Sequence, residues 1–269
     1  MRKKVGLALG SGGIRGLAHI GVIKKLLEHN IPIDYIAGSS IGAWVGAHYA
    51  LFQDIEKLEE YTLQKKKEKF FSFLEPTLSG GLIKGNKIEK LLNDWLDNAN
   101  FENTKIPLKI VATDLLTGKT TIFQKGKLST AVRASISVPT LFKAFQFKNK
   151  LLVDGGISNP VPDDIVKKMG ADIVISVNLD NYIKNEKFNE KNNKKLSSIT
   201  QRSLNILRYN LSLHSTTNSD FIIEPHTPVV GIESFKDYFS KNIPYTLVKN
   251  GAKETEKIIP ELKKLLEQK

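Results

Sequence analysis

Gly38-Ser39-Ser40-Ile41-Gly42 places a serine between two short apolar runs, Tyr35-Ile36-Ala37 and Ala43-Trp44-Val45-Gly46-Ala47. A serine on a sharp strand-to-helix turn points its hydroxyl outward. The two glycines let the turn form and the backbones approach. The helix N-terminus behind it offers unpaired N–H groups and partial positive charge to a developing oxyanion. Ser40 is therefore the candidate nucleophile of an acyl transfer. Without chemistry the same pentapeptide is a plain strand-to-helix connection, so the case rests on what accompanies it.

Upstream lies Gly10-Ser11-Gly12-Gly13-Ile14-Arg15-Gly16, behind the apolar run Val5 to Leu9. Such a loop presents several backbone N–H groups at a helix N-terminus, which is an anion site. Two anions compete for it, a nucleotide phosphate and the oxyanion of an acyl-transfer intermediate. The dinucleotide pattern G-x-G-x-x-G fails because Arg15 stands at its third glycine, although the looser spacing Gly10, Gly12, Gly16 survives. A P-loop is excluded, since no Lys-Ser/Thr follows the last glycine. A non-catalytic nucleotide-binding module using Gly10 to Gly16 thus stands as one alternative. Far downstream, Val153-Asp154-Gly155-Gly156 sets a carboxylate at the end of a strand candidate. There it suits a general base, or it is a common Asp-Gly turn.

The histidines supply a second alternative. The order Ser40, Asp154, then His214 or His226 matches that of the α/β-hydrolase triad. That fold builds several strands before its nucleophile, whereas Ser40 follows only the second. His19 and His48 fall inside helices and are expected to be packed or surface residues. Arg15 is a candidate for a phosphate head group or a packed stem; Asp114 and Arg133 are expected to be structural.

The elements that must position these residues read β–α–β–α over the first fifty positions, the pattern of a layered α/β sheet. Val5 to Leu9 is continuously apolar, as in a strand buried on both faces. Leu17, Ile20, Ile23, Leu26 and Leu27 recur at helical spacing, and Ile31 to Ala37 returns to strand. Further strands are predicted at Leu108 to Ala112, Thr120 to Phe123, Leu151 to Val153, Asp172 to Val177 and Phe221 to Ile223. Helices are predicted over Ile55 to Lys69, Lys87 to Asn98, Pro162 to Met169, Ser197 to Leu213 and Tyr245 to Lys269. No linker or repeat interrupts them, so residues 1–269 are expected to form a single domain.

The 269 residues include no cysteine, which removes disulfides, thiolate nucleophiles and cysteine-bound metals. The start, Met1-Arg2-Lys3-Lys4 and then Val5 to Leu9, has too short an apolar run for a signal peptide, which needs about 7–15 residues. No later run approaches the roughly 20 residues of a spanning helix. A cytoplasmic chain is expected. The net charge of +12 fits an anionic partner. No aromatic-interleaved basic patch accompanies it, so nucleic acid is not expected. Lys65-Lys66-Lys67-Glu68-Lys69 ahead of Phe70-Phe71-Ser72-Phe73-Leu74 suits peripheral contact with an anionic membrane, or a solvated helix face ending in a packed aromatic cluster.

Together the three motifs resemble the patatin-like phospholipase family, whose pattern is G-x-G-G-x-[RK]-G, then G-x-S-x-G, then D-G-[GA]. The resemblance extends to Leu17 through Val22, Ser79 through Leu82, Ala112 through Leu115, Arg133 through Ser135, and Asn159-Pro160. It covers roughly Val5 to Val177 and says nothing beyond. It implies a three-layer α/β/α sandwich on a mostly parallel sheet. It further implies a lipid acyl hydrolase with a serine–aspartate dyad and neither cofactor nor metal. Ser40 attacks the ester carbonyl, Asp154 accepts its proton, and the N–H groups of Gly12 and Gly13 hold the oxyanion. Ser11 and Ser39 depart from the frequent glycine and threonine of the family.

Overall fold

The computed structural model describes residues 2–64, 75–77, 80–181, 196–227 and 243–268. Strand β1 (Val5–Leu9) leads through a 3-10 turn at Gly13–Leu17 into α1 (Ala18–Glu28). Strand β2 (Tyr35–Ser39) then feeds α2 (Ile41–Phe52) with one residue, Ser40, between them. The expected start of β2 at Ile31 is displaced to Tyr35. Pro32 and Asp34 intervene, and the Asp34 carboxylate accepts the Val5 N–H at 2.8 Å.

After α3 (Ile55–Gln64) and α4 (Asn86–Trp95) come β3 (Leu108–Asp114), β4 (Thr120–Phe123) and α5 (Leu128–Ser135). These are followed by β5 (Phe145–Phe147), β6 (Lys150–Val153), α6 (Asp163–Lys168) and β7 (Ile173–Val177). The described remainder is α7 (Leu196–His214), β8 (Phe221–Ile223), α8 (Ile243–Glu256) and α9 (Ile259–Glu267). The single helix expected over Tyr245 to Lys269 is therefore two, because Pro260 in the first turn of α9 cannot continue the ladder of α8. Strand β5 and helix α5 carry too few periodic residues to be read from sequence.

The sheet runs β5-β6-β3-β2-β1-β7-β8, with β4 also on β3. Strands β3, β2, β1, β7 and β8 are parallel, while β4, β5 and β6 run antiparallel to their neighbours. Alternation along each strand divides the two faces. Leu7, Leu9, Ile36, Ile110 and Ile175 enter a large core with residues of α1, α2 and α8. Their neighbours Ala8, Ala37, Val111 and Val174 pack with Ile165 and Val166 of α6. Helices thus cover both faces, and the sheet is the middle of three layers. Because β1, β2, β3 and β7 are parallel, their C-terminal ends share one edge, where open α/β sheets place ligands.

Candidate active site

Ser40 sits at that edge with φ 55° and ψ −121°, a conformation strained for any residue with a side chain. Surrounding bonds hold it there. Its N–H donates to Ser135 Oγ at 2.7 Å, and that hydroxyl in turn donates to the Val111 carbonyl at 2.6 Å. Its carbonyl accepts the N–H groups of Ala43 and Trp44, so α2 starts directly behind the hydroxyl. The elbow also lies hard against β1: a methyl group at Gly42 would strike the Leu9 carbonyl and come within 2.8 Å of the Gly10 oxygen. Glycine is required there by close approach. Gly38 faces the backbone of Ala43 at 2.6 Å in the same way.

Asp154 arrives from the other side of the sheet. Strand β6 is antiparallel to β3 in a register that pairs Val153 with Thr113, so the residue after β6 stands at the C-terminal end of β3. The Asp154 N–H donates to the Ser137 carbonyl at 2.9 Å, and its own carbonyl accepts the Thr113 hydroxyl at 2.8 Å. One carboxylate oxygen, Oδ1, accepts the Gly156 N–H at 2.8 Å within the turn Gly155–Ile157. The other, Oδ2, accepts the Ser40 hydroxyl directly. Burial pushes the Asp154 carboxyl up to about 6, although Ser40, the Gly156 amide and Arg208 pull it down.

The Gly10 loop completes the edge. The Gly10 and Ser11 amides are committed, donating to the carbonyls of Val177 at 3.1 Å and Pro160 at 2.8 Å. Those of Gly12 and Gly13 have no acceptor among the described residues. Gly13 has φ +57° with nothing within 4 Å of where a side chain would begin. Two successive N–H groups thus stand uncommitted in a turn, the form of an anion-binding nest. Ile14 packs against the large core, and Gly16 lies against Ile41 of α2. Ser11 Oγ lies 2.5 Å from where a Gly156 side chain would begin, so this loop and the Asp154 turn touch.

Arg15 is buried and built into the loop. Its Nε donates to the Gly12 carbonyl at 3.0 Å, its Nη1 to Leu179 O at 2.6 Å, and its Nη2 pairs with Asp180 at 3.3 Å. Sequence reasoning missed two contributors to this cluster, Asp180 and Arg208, and gave Ser135 no role beyond its place in the stretch Arg133 through Ser135. Arg208 of α7 pairs with Asp180 at 3.0 Å and donates to Ser11 Oγ at 3.3 Å. Asp180 and Arg208 lie beyond the motif-bearing part of the chain, in segments with no local pattern.

The histidines do not join the site. His19 Nε2 donates to the Gly10 carbonyl at 2.8 Å, and burial lowers it to about 4, so it is neutral and holds the loop. His48, also lowered to about 4 by burial, stacks on Trp95 at 4.6 Å. His214 and His226 are exposed, and neither bonds Ser40 or Asp154. Asp114 caps its own turn, accepting from Leu116 N and the Thr117 hydroxyl. Arg133 donates to the carbonyls of Lys84 and Gly85 and to Ser137 Oγ. The stretch from Lys65 to Leu74 lies outside the described residues. No helix among the described residues is long and apolar enough to cross a membrane.

The chain is similar to known proteins. The family model described as patatin-like phospholipase matches residues 7–166. An uncharacterized NTE family protein of Mycobacterium tuberculosis is 40% identical over 177 residues, covering 65% of this chain and 49% of that one. The chain thus spans about half the length of the mycobacterial relatives it matches. Human patatin-like phospholipase domain-containing protein 6 is 32% identical over 182 residues, 65% of this chain and 13% of the relative. Among solved structures, VipD from Legionella pneumophila superposes with a TM-score of 0.62 at 14% identity, covering 97% of this chain and 67% of that one.

Proposed function

This chain belongs to the patatin-like phospholipase family, and from that premise we propose that it hydrolyses carboxylic esters of acyl lipids through a Ser40–Asp154 dyad. The observation that carries the proposal is the direct hydrogen bond from the Ser40 hydroxyl, on a strained elbow, to Asp154 Oδ2. No histidine stands between them. A buried carboxyl at about 6 is ionised at neutral pH yet basic enough to take a proton in the transition state.

The residues divide the work as follows. Ser40 Oγ bonds to the ester carbonyl carbon while its proton passes to Asp154 Oδ2, and the carbonyl electrons move onto oxygen. The N–H groups of Gly12 and Gly13 receive that oxyanion, each donor contributing about 3 kcal/mol. Collapse of the tetrahedral intermediate breaks the ester C–O bond, and the proton on Asp154 goes to the departing alcohol. Water then gives a proton to Asp154 and adds to the acyl-serine. The second collapse releases fatty acid and returns the proton to Ser40. The Gly156 N–H holds Oδ1 throughout, which keeps Oδ2 directed at the serine. Residues 1–269 are read as one such domain, since the described strands share one sheet.

Fatty-acid release from a panel of phospholipid, lysophospholipid, triacylglycerol and a water-soluble ester tests the proposal. Release by the wild type, abolished in Ser40→Ala and in Asp154→Asn, is expected. Release that survives both substitutions overturns it.

A further inference from the structure

The Gly10 loop is braced by residues far along the chain. Leu179, just past β7, lies so close to Gly12 that a side chain there would begin 2.8 Å from Leu179 Cδ1. Asp180 follows, buried, with its N–H donating to Asn178 Oδ1 at 3.0 Å. Its carboxylate lies between two guanidiniums. Oδ1 accepts Arg15 Nη2 at 3.3 Å and Arg208 Nη2 at 3.0 Å, and Oδ2 stands 3.3 Å from the same Arg208 nitrogen. That nitrogen also donates to Ser11 Oγ at 3.3 Å, so α7 grips the loop at two points. A buried ion network is a weak source of net stability; what it holds in place matters more.

It holds one peptide group. Arg15 Nε and the Arg15 N–H both donate to the Gly12 carbonyl, at 3.0 and 3.2 Å. The Gly12 carbonyl and the Gly13 N–H belong to one trans peptide plane and point in opposite directions. Fixing the carbonyl toward Arg15 therefore turns the Gly13 N–H to the other side. Glycine flanks this peptide on both sides, so residue type does little to stop it rotating. The restraint has to come from side chains, and Arg15 is itself fixed by Asp180, which Arg208 holds.

We infer that Asp180 and Arg208 are positioning residues for the oxyanion donors, acting through Arg15 and Ser11 to fix the Gly12–Gly13 peptide beside Ser40. The inference rests on the dyad proposal for its purpose. It is tested first by kcat and KM for a water-soluble p-nitrophenyl ester. Arg208→Met and Asp180→Asn are each expected to lower kcat about 10- to 100-fold with KM within threefold of wild type. The acid limb of kcat/KM supplies a readout that loosened packing alone does not move. Arg208 pulls the Asp154 carboxyl down and Asp180 pushes it up. The limb is therefore expected at higher pH in Arg208→Met and at lower pH in Asp180→Asn. The buried guanidiniums of Arg15 and Arg133 are common to both variants. Arg208→Lys keeps the charge without the planar fork, and is expected to restore the limb but only part of kcat. Asp163→Asn, altered at a buried aspartate that bonds Asn218 and Ser219, is expected to keep both kcat and limb.

Amide exchange measured by NMR is a second readout, independent of turnover. The Ser11 and Arg15 N–H groups donate to Pro160 O and Gly12 O, and their exchange is expected to quicken about tenfold or more in Arg208→Met but not in Asp163→Asn. Unchanged exchange in Arg208→Met overturns the inference. So do kcat values within twofold of wild type in both variants, or limbs that fail to move in opposite directions. A raised KM at unchanged kcat overturns it too, and assigns Arg208 to substrate binding. Faster exchange in the variant, with no Ser40-dependent turnover in the wild type, contradicts the hydrolase proposal alone. Ser40-dependent turnover with kcat and exchange both unchanged contradicts the positioning inference alone.

Discussion

Asp154 and Asp163 stand nine residues apart in apolar surroundings, 7% and 1% exposed, and burial raises the pKa of both. Their partners differ. Asp163, in the first turn of α6, accepts the Asn218 N–H at 2.6 Å, the Asn218 side-chain amide at 3.2 Å and the Ser219 hydroxyl at 3.1 Å. These bonds fasten α6 to the turn that enters β8. Asp154 accepts one amide and one serine hydroxyl, and that serine is on a positive-φ elbow beside two uncommitted N–H groups. Burial and a raised pKa therefore do not by themselves mark a catalytic carboxylate. Both aspartates accept a serine hydroxyl; what distinguishes Asp154 is that its serine stands on a positive-φ elbow beside two uncommitted N–H groups, as Ser219 at Asp163 does not.

Substitutions at the two aspartates should separate these roles. The largest effect falls on turnover: Ser40→Ala is expected to lose about four orders of magnitude in ester hydrolysis and Asp154→Asn about three. Asp163→Asn is expected to retain the wild-type rate per folded molecule. Comparable losses at both aspartates would erase the distinction.

Stability should show the reverse order. Asp163→Ala leaves the Asn218 and Ser219 donors without their acceptor and is expected to cost about 1–3 kcal/mol, read as a lower thermal midpoint. A smaller effect is the pH dependence of turnover. Asp154 must be ionised to accept a proton, so the rate is expected to rise about tenfold from pH 5 to pH 7 and level off above its value of about 6. A profile flat across that range would remove Asp154 as the base.

The smallest effect is the most specific. The Asp154 carboxyl rises from 3.8 to about 6 on folding, so the native state binds this proton more tightly than the unfolded chain. The group is neutral to stability below about pH 4. It becomes increasingly destabilising as pH climbs through 6 and remains so above. Asp154→Asn should therefore be more stable than wild type at pH 7.5, with the difference vanishing near pH 4. Denaturant melts of both proteins at the two pH values measure it. Asp163→Asn is expected to show no such gain, because the amide keeps no acceptor pair for its three donors.

The contrast between the aspartates also shows what the sequence made legible. The three glycine-bearing motifs were legible because tight turns and close approaches restrict residue type locally, at Gly13 and Gly42 above all. The two aspartates are alike as letters; only the register of β6 on β3 brings one of them to Ser40. Asp180 and Arg208 were not legible for a related reason. Each acts through a contact made by folding, and no local pattern announces it. The break between α8 and α9 was signalled by Pro260, which a smooth apolar periodicity obscured.

In the proposed dyad Asp154 activates Ser40 without a histidine. Intact-mass analysis after reaction with a fluorophosphonate probe tests it most directly. One adduct is expected on the wild type, on Asp163→Asn and on the variants His214→Ala and His226→Ala, none on Ser40→Ala, and a severely slowed one on Asp154→Asn. Labelling of Asp154→Asn at the wild-type rate, together with its loss in either histidine variant, would contradict the claim.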